Sequence, residues 1–319
     1  MSFILEDTMS SISFFEKNYD SVTEYIGNFN GINLCIKRED LIHPVVSGNK
    51  FRKLKYNLLE AKKRKSSEIL TFGGAFSNHI AATAEACSIL GLESFGIIRG
   101  EELRKDLEKT LSTNPTLFYA HQKGMQFYFV TRSDYRNKEN IPVVKSLIEK
   151  NPSIFIIPEG GTNLLAIRGC QEIIEKEDDF DVICSSVGTG GTLAGLIEGS
   201  KSHQHCIGFS ALKGDFLQKE VSKWTKKTNW SLQTDYHFGG YAKVTSELIE
   251  FINTFQRNYN IPLDPIYTGK MFYGIFDMIQ SGFFPKNTRI LAVHTGGLQG
   301  VEGMNQTLKQ KGLQTINSL

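Results

Sequence analysis

The chain has 319 residues, of which 40% are hydrophobic and 22% charged, enough to bury the core of one large or two smaller α/β domains. A formal net charge of +2 gives no reason to expect a nucleic acid or a membrane surface as partner. No stretch approaches about 18 consecutive apolar residues, so no membrane span is expected.

The cysteines and the first residues bear on the compartment. The first 11 residues lack the basic start and long apolar run of a secretory signal. The five cysteines are scattered, odd in number and without a C-x-x-C pair, which favours core thiols in a reducing cytoplasm over a disulfide framework. His203 and His205 have no further ligands at metal-site spacing, so no metal site is predicted.

Strand-like and helix-like runs alternate along the chain. Strands are predicted at residues 32–36, 68–72, 94–98, 126–130, 154–157, 181–187, 206–210 and 289–294. Helices are predicted at residues 49–64, 78–90, 115–123, 142–150 and 193–198. The alternation predicts an α/β fold of mostly parallel twisted sheets covered by helices. The polar segments 137–140 and 225–234 are predicted to be surface loops.

Lys50 follows Gly48 and Asn49 at the start of a predicted helix. A Schiff base with an aldehyde cofactor needs a neutral primary amine, and burial or nearby charge, such as that of Arg52 and Lys53, can keep a lysine neutral. The glycine suits a tight turn that brings backbone close to a flat ring. Taken alone, Lys50 is better explained as a solvated helix residue, so this prediction depends on the other motifs.

A glycine-rich loop follows the strand predicted at residues 181–187. It consists of Gly188, Thr189, Gly190, Gly191 and Thr192. Successive N–H groups at a helix N-terminus bind anions, so the loop is predicted to hold a phosphate. The dinucleotide fingerprint fails because Leu193 occupies its third glycine position, and no Walker A sequence follows. A purely structural glycine turn is the alternative.

Ser77, Asn78 and His79 stand at the entry of a predicted helix after a Gly-Gly turn. Ser or Asn is a good N-cap there, and capping alone would explain the residues. The same geometry offers N–H groups and short polar side chains to a substrate carboxylate, and an amide could reach a cofactor hydroxyl. We interpret His79 as a hydrogen-bonded structural residue, with proton transfer as the alternative.

Two late segments place polar residues at element ends, where loops carry function. They are Tyr-Thr-Gly-Lys at residues 267–270 and His-Thr-Gly-Gly at residues 294–297. Thr295 follows a predicted strand, where its neutral hydroxyl could face a pyridine nitrogen. Tyr267 could stack, bind or move protons, or it could be a half-buried core aromatic.

Six motifs in this order resemble one known family. They occupy residues 37–40, 48–54, 73–79, 188–192, 263–270 and 294–297. The pattern resembles the 1-aminocyclopropane-1-carboxylate (ACC) deaminase and D-cysteine desulfhydrase family, pyridoxal phosphate (PLP) enzymes of fold type II, the tryptophan synthase β-subunit fold. The resemblance extends from about residue 31 to about residue 300 and is specific because all six motifs occur in order.

The resemblance implies a role for each candidate residue. The expected cofactor is PLP, bound covalently by Lys50. The other cofactor-binding residues would be Asn78 at the ring hydroxyl, the glycine loop at the phosphate, and Thr268 and Thr295. The catalytic residues would be Lys50, Ser77 and Tyr267. The substrate-binding residues would be Ser77, Asn78, His79, Tyr241 and Tyr267.

The resemblance also implies the architecture and the partners. Residues 1–51 and 157–319 would form a large PLP-binding domain, and residues 52–156 a small domain inserted in it. A homodimer acting on a small amino-acid substrate in the cytoplasm is expected.

Two positions indicate the substrate. Deaminases of the family typically carry Glu where Thr268 stands and Leu where Thr295 stands, and D-cysteine desulfhydrases carry threonines. A carboxylate at the pyridine nitrogen keeps it protonated and strengthens the ring as an electron sink. A hydroxyl does so less, which suffices for expelling a good β leaving group. The sequence therefore predicts β-elimination of D-cysteine to pyruvate, sulfide and ammonia.

Departures from the family pattern lie near the expected substrate pocket. Phe76 stands where Gln is usual, and residues 43–46 replace a glycine-richer segment. The alternatives are an ACC deaminase or another PLP lyase or racemase, and a non-catalytic PLP- or phosphometabolite-binding protein, which the retained Lys50 opposes. A Ser77/His79 hydrolase is disfavoured because no G-x-S-x-G elbow surrounds the serine.

Overall fold

The computed structural model describes residues 14–15 and 21–317, and the first 11 residues, expected to carry no secretory signal, lie outside them. Ten strands and eleven α-helices lie within the described part of the chain. The strands are β1 (Thr23–Phe29), β2 (Ile32–Lys37), β3 (Glu68–Gly74), β4 (Glu93–Arg99), β5 (Gln126–Val130), β6 (Phe155–Ile157), β7 (Val182–Val187), β8 (His205–Ser210), β9 (Trp230–Gln233) and β10 (Arg289–Val293). The helices are α1 (Asn49–Lys63), α2 (Asn78–Ile89), α3 (Leu107–Thr113), α4 (Pro115–Gln122), α5 (Pro142–Lys150), α6 (Leu164–Gln171), α7 (Gly191–Gly199), α8 (Phe216–Ser222), α9 (Ser246–Tyr259), α10 (Thr268–Gln280) and α11 (Gly300–Gln310).

Six strands form a large sheet in the order β1-β2-β10-β7-β8-β9. β1 pairs antiparallel with β2, and the other neighbours are parallel. Strands from both ends of the chain meet at its centre, where Leu291 of β10 lies beside Cys35 of β2 and Ile183 of β7. Loops at the carboxyl ends of β2, β7 and β10 therefore gather at one edge of the sheet.

The other four strands form a small, fully parallel sheet in the order β5-β4-β3-β6. All of them lie between β2 and β7 in the sequence. The predicted domain division at residues 51/52 and 156/157 stays a prediction. α1 runs across the first of these positions, so a helix rather than a loop connects the segments there.

Both faces of the large sheet are covered by helices. Alternate residues of β10 point to opposite faces, as strand geometry requires. Ile290 and Ala292 pack with α9 and α10 in one core, and Leu291 and Val293 pack with α7 and α8 in another. Burial of each such large apolar side chain stabilises the fold by roughly 1.5–3 kcal/mol. The α/β architecture of helix-covered parallel sheets is thus confirmed.

Some helices and strands were not predicted from the sequence. Neither β1 nor the helices α3, α6 and α8 to α11 were identified. The prediction of a loop over residues 225–234 was wrong for Trp230–Gln233, which forms β9. β9 is held by backbone pairing with β8, and its side chains are only half-buried, so it lacks an apolar signal.

Cysteines, histidines and helix lengths complete the description of the fold. All five cysteines are free thiols. His203 lies 3.2 Å from a carboxylate oxygen of Asp179, and His205 lies 2.9 Å from the hydroxyl of Ser231. Across residues 14–15 and 21–317, no cluster of His, Cys, Asp or Glu could hold a metal ion, and no helix could cross a membrane.

The packing of α6 on α1 predicts a stability effect. A Cβ on Gly169 would lie 1.9 Å from the carbonyl oxygen of Arg52, so the Gly169→Ala variant must push the helices apart. We expect it to lower the free energy of unfolding by about 1–3 kcal/mol in chemical denaturation. The control is Gly300→Ala, whose Cβ meets nothing within 4 Å. Equal stability of Gly169→Ala and the parent protein would contradict this packing.

Candidate active site

α1 begins beside the loop that follows β10, and Gly48 makes this approach possible. Gly48 has a φ of 60°, and a Cβ there would lie 2.0 Å from the carbonyl oxygen of Thr295. The N–H of Asn49 donates to the same oxygen at 3.3 Å. Glycine meets both the conformational and the steric requirement. The backbone at residue 295 therefore fixes the start of α1, and with it the position of Lys50.

Lys50 is buried, with 8% of its surface exposed. Burial, and then the nearby charge of Lys53, lower the pKa of its amine from 10.5 to about 7. Its Nζ donates to Oδ1 of Asn49 at 3.0 Å. The lowered pKa makes the neutral, nucleophilic form of the Lys50 amine available near pH 7.

The glycine loop between β7 and α7 is closely surrounded. A Cβ on Gly191 would lie 2.7 Å from Oγ1 of Thr162, and one on Gly188 would lie 3.1 Å from the ring of Tyr267. The loop leads into α7, whose first N–H groups have no helical acceptor. Nδ2 of Asn49 donates to Oγ1 of Thr192 at 2.8 Å, so the residue that binds Lys50 also contacts the loop.

Lys53 is a component that the sequence reasoning did not assign. It is 2% exposed, and its Nζ donates to the carbonyl of Gly160 at 3.0 Å and to Oγ1 of Thr162 at 3.1 Å. Oγ1 of Thr189 lies 3.5 Å away. Among the described residues no carboxylate pairs with Lys53. A buried cation without a carboxylate, beside a loop rich in N–H groups, fits the phosphate of PLP.

The turn after β3 leaves polar groups available. Ser77 occupies the N-cap position of α2, but its hydroxyl makes no capping hydrogen bond, contrary to the capping interpretation. The N–H groups of Asn78 and His79 lie in the first turn, where a helix offers no acceptor. A Cβ on Gly297 would lie 3.6 Å from Nδ2 of Asn78, so the turn faces the loop after β10.

The His79 imidazole is a structural group. The Thr71 hydroxyl donates to the carbonyl of Ile157 at 2.9 Å and contacts Nε2 of His79 at 2.8 Å. Nε2 must therefore carry the proton, and Nδ1 has no partner among the described residues. Burial, and then the charges of Lys50 and Lys53, lower the imidazole pKa well below 6.5. The ring is neutral at pH 7, and the N–H of residue 79 is the group available to a substrate.

Tyr267 and Tyr241 lie at one side of the site. Their ring centroids are 6.3 Å apart. Burial, and then its neighbours Tyr241 and Asp264, raise the pKa of the Tyr267 phenol well above 10, so it stays protonated. The loop that carries Tyr241 is anchored by the buried Lys270, whose Nζ donates to the carbonyls of His237 and Gly240 at 2.9 and 2.8 Å.

The two threonines that bear on the substrate have different partners. Thr268 donates from Oγ1 to Oδ2 of Asp264 at 2.7 Å, and this buried carboxylate also accepts N–H bonds from residues 266–268. Oγ1 of Thr295 lies 3.1 Å from Oγ of Ser186, at the end of the neighbouring strand. The Thr268 hydroxyl thus uses its proton in the hydrogen bond to Asp264. The hydroxyls of Thr295 and Ser186 need only one proton between them, so the other can be donated to a ligand.

These contacts bring the sequence-predicted residues together around one cleft. Asn49 hydrogen-bonds both to Lys50 and to Thr192 of the glycine loop. The ring of Tyr267 lies against Gly188 of that loop, and Gly297 lies between Asn78 and Asp264. Asn49, Lys53, Ser186 and Asp264 were missed as site residues. Three of them lie inside quoted motifs and could have been noticed there. Ser186 carries no motif and becomes visible only through the pairing of β7 with β10.

Comparison with known proteins gives a consistent match. The family described as "Pyridoxal-phosphate dependent enzyme" matches residues 23–296. A Pyrococcus furiosus protein named "Putative 1-aminocyclopropane-1-carboxylate deaminase" is 33% identical over 310 residues, covering 88% of this chain and 91% of the relative.

Two further relatives extend the match. An Arabidopsis thaliana protein named "Bifunctional D-cysteine desulfhydrase/1-aminocyclopropane-1-carboxylate deaminase, mitochondrial" is 33% identical over 302 residues, covering 85% of this chain and 74% of the relative. A solved structure described as an "ACC deaminase homologue" has a TM-score of 0.78 and 27% identity, covering 94% of this chain and 98% of that one.

The environment of Lys50 predicts a pH dependence. Attachment of PLP to the apoprotein should accelerate with rising pH and level off above about 7, because only the neutral amine attacks the aldehyde. The measurement is the initial rate of borohydride-reducible attachment. Lys53→Met should move the midpoint upward because it removes a neighbouring positive charge, and Lys55→Met on the same helix should not. A rate that keeps rising toward pH 10, as for an exposed lysine, would contradict the assignment.

Proposed function

The chain belongs to the family of pyridoxal-phosphate dependent enzymes, and from that premise we propose that it is a lyase that eliminates the β-substituent of a small amino acid. The proposed substrate is D-cysteine, and the products are pyruvate, sulfide and ammonia. The observation that carries the proposal is the pair of neutral hydroxyls of Thr295 and Ser186 at the carboxyl ends of neighbouring strands.

The residues of the site divide into those that would bind the cofactor and those that would bind the substrate. Lys50 would hold PLP covalently, the glycine loop and Lys53 would hold its phosphate, and Asn78 would contact the ring hydroxyl. PLP withdraws electrons from the substrate Cα and so makes its proton more acidic. The Ser77 hydroxyl and the N–H groups of residues 78 and 79 would bind the substrate carboxylate, because they have no hydrogen-bond acceptor or donor among the described residues.

Proton movement follows from the two shifted pKa values. The Lys50 amine, with a pKa of about 7, is a base of suitable strength for the Cα proton once it is free. Tyr267 stays protonated, because burial above all raises its pKa, so it can donate a proton to the departing sulfur but cannot act as the base. Transfer of the Cα proton to Lys50, and loss of the sulfur from Cβ as H₂S with the proton that Tyr267 donates, leave an unsaturated amino acid, which water converts to pyruvate and ammonia.

The choice of D-cysteine over ACC rests on the groups near the expected pyridine nitrogen. Thr268 and Thr295 stand where the resemblance places Glu and Leu in deaminases. A Glu at position 268 would also meet the buried Asp264 carboxylate, to which the Thr268 hydroxyl now donates. Two buried carboxylates in contact are costly unless one is protonated. The neutral hydroxyls therefore favour elimination of a good leaving group.

ACC deamination is the second candidate. The Pyrococcus furiosus relative is named for that activity and the Arabidopsis thaliana relative for both activities. The two reactions release different oxo acids, so one assay separates them.

We expect the PLP-loaded protein to form equal amounts of pyruvate and sulfide from D-cysteine, and much less from L-cysteine. With ACC it should form little or no 2-oxobutyrate. The measurement is enzymatic determination of both oxo acids together with a sulfide assay. The production of 2-oxobutyrate from ACC, without sulfide from D-cysteine, would reverse the substrate assignment.

Tyr267→Phe removes the proposed proton donor and keeps the ring that covers Gly188. Its kcat with D-cysteine should fall on the order of 10²-fold, the usual contribution of a positioned proton donor. The control is Tyr259→Phe on α9, whose ring packs in the large-sheet core and whose hydroxyl makes no hydrogen bond among the described residues. A Tyr267→Phe enzyme with nearly unchanged kcat would show that another group donates the proton.

A further inference from the structure

Arg99 lies beside the turn that is proposed to bind the substrate carboxylate. It is the last residue of β4 and pairs with Gly74, the last residue of β3. The N–H of Ser77 donates to the carbonyl of Gly74 at 3.0 Å. The carboxyl ends of both strands therefore place Arg99 next to residues 77–79 at the cleft edge of the small sheet.

The Arg99 guanidinium packs near the backbone of Gly74 and over the ring of Tyr135. A Cβ on Gly74 would lie 3.5 Å from its Nη2, so the glycine leaves room for the group to fold over the turn. Its Cζ lies 5.6 Å from the centroid of the Tyr135 ring. A guanidinium stacked on an aromatic face has a defined orientation while its N–H edge remains free to donate.

Arg99 has no counter-ion in the described part of the chain. Glu102 lies within 3.6 Å of Arg132 instead. Glu159 accepts from the Tyr135 hydroxyl at 2.8 Å and pairs with Lys138 at 2.6 Å. The exposed guanidinium is therefore accessible to an external anion, and its planar donors suit a carboxylate in bidentate contact.

Arg99 also acts through its charge on Tyr241. Burial raises the pKa of Tyr241, and the positive charge of Arg99 opposes that rise. Tyr241 belongs to the loop that Lys270 anchors beside the large sheet, and it contacts the ring of Tyr267. The charge of Arg99 therefore reaches the side of the site that carries these tyrosines.

We propose that Arg99 forms a subsite for a second anionic group of the substrate, so that the enzyme prefers amino acids whose β-substituent carries a carboxylate. This inference rests on the proposed function, because the α-carboxylate must occupy the turn at residues 77–79. In that position the β-substituent extends toward the neighbouring strand end, where Arg99 lies. A guanidinium that only packs on Tyr135 would confer no preference for charge.

The test uses a pair of thioethers that differ in charge but hardly in shape, S-carboxymethyl-D-cysteine and S-carbamoylmethyl-D-cysteine. Their dissociation constants are measured from the change in cofactor absorbance on binding to the holoenzyme. The carboxylate is expected to bind about tenfold more tightly, as for one charge-assisted hydrogen-bonded contact. Arg99→Gln should bring the ratio close to one, and Arg99→Lys should leave an intermediate ratio.

The control variant is Arg132→Gln, which removes an exposed arginine after the neighbouring strand β5 and should leave the ratio unchanged. A ratio near one in the parent enzyme, or a ratio that survives Arg99→Gln, overturns the subsite. Pyruvate formation from D-cysteine is measured separately. Pyruvate without a charge preference refutes only the subsite, and a charge preference without pyruvate refutes only the proposed reaction.

Discussion

The backbone contact between residues 48 and 295 determines the geometry of the whole site. It joins the N-terminus of α1 to the loop after β10, and it leaves no room for any side chain at position 48. Because Lys50 lies two residues further on, its amine is fixed relative to Thr295 and to the strands β10 and β7. A looser contact at this point would move the reactive amine, the glycine loop and the neutral hydroxyls relative to one another.

Three buried lysines show how local partners set the behaviour of an amine. Lys270 donates to two carbonyls and keeps a structural role, with its pKa lowered by burial to about 8. Lys53 donates to a carbonyl and a hydroxyl, and no carboxylate among the described residues pairs with it, so it is suited to bind an anion. Among the described residues Lys50 has only the side-chain oxygen of Asn49 as partner, and its pKa falls to about 7. Lys50, the amine with fewer polar partners, thus has a lower pKa than Lys270.

Some features of the chain are easier to recognise in the sequence than others, for physical reasons. Gly48 is required by a backbone contact with residue 295 and Gly188 by the close ring of Tyr267, so these glycines stand out in their motifs. β9 escaped notice because backbone pairing rather than apolar burial holds it. The hydrogen bond between Thr268 and Asp264 lies within one quoted motif, whereas the pairing of Thr295 with Ser186 depends on how separate segments meet. No pattern within a single segment records the second of these contacts.

The two sheets supply different groups to the cleft, and this separation bears on specificity. Lys50, the glycine loop and Thr295 are positioned around the large sheet, and we propose that they hold PLP. Residues 77–79 and Arg99 are positioned by neighbouring strand ends of the small sheet, and we propose that they bind the substrate, with Asn78 also reaching the ring hydroxyl of PLP. A substitution at the end of β4 can therefore change which amino acid is accepted without disturbing the contact between residues 48 and 295. The family match extends over residues 23–296 and so over both sheets, and we infer that selection among substrates is set at the edge of the small sheet.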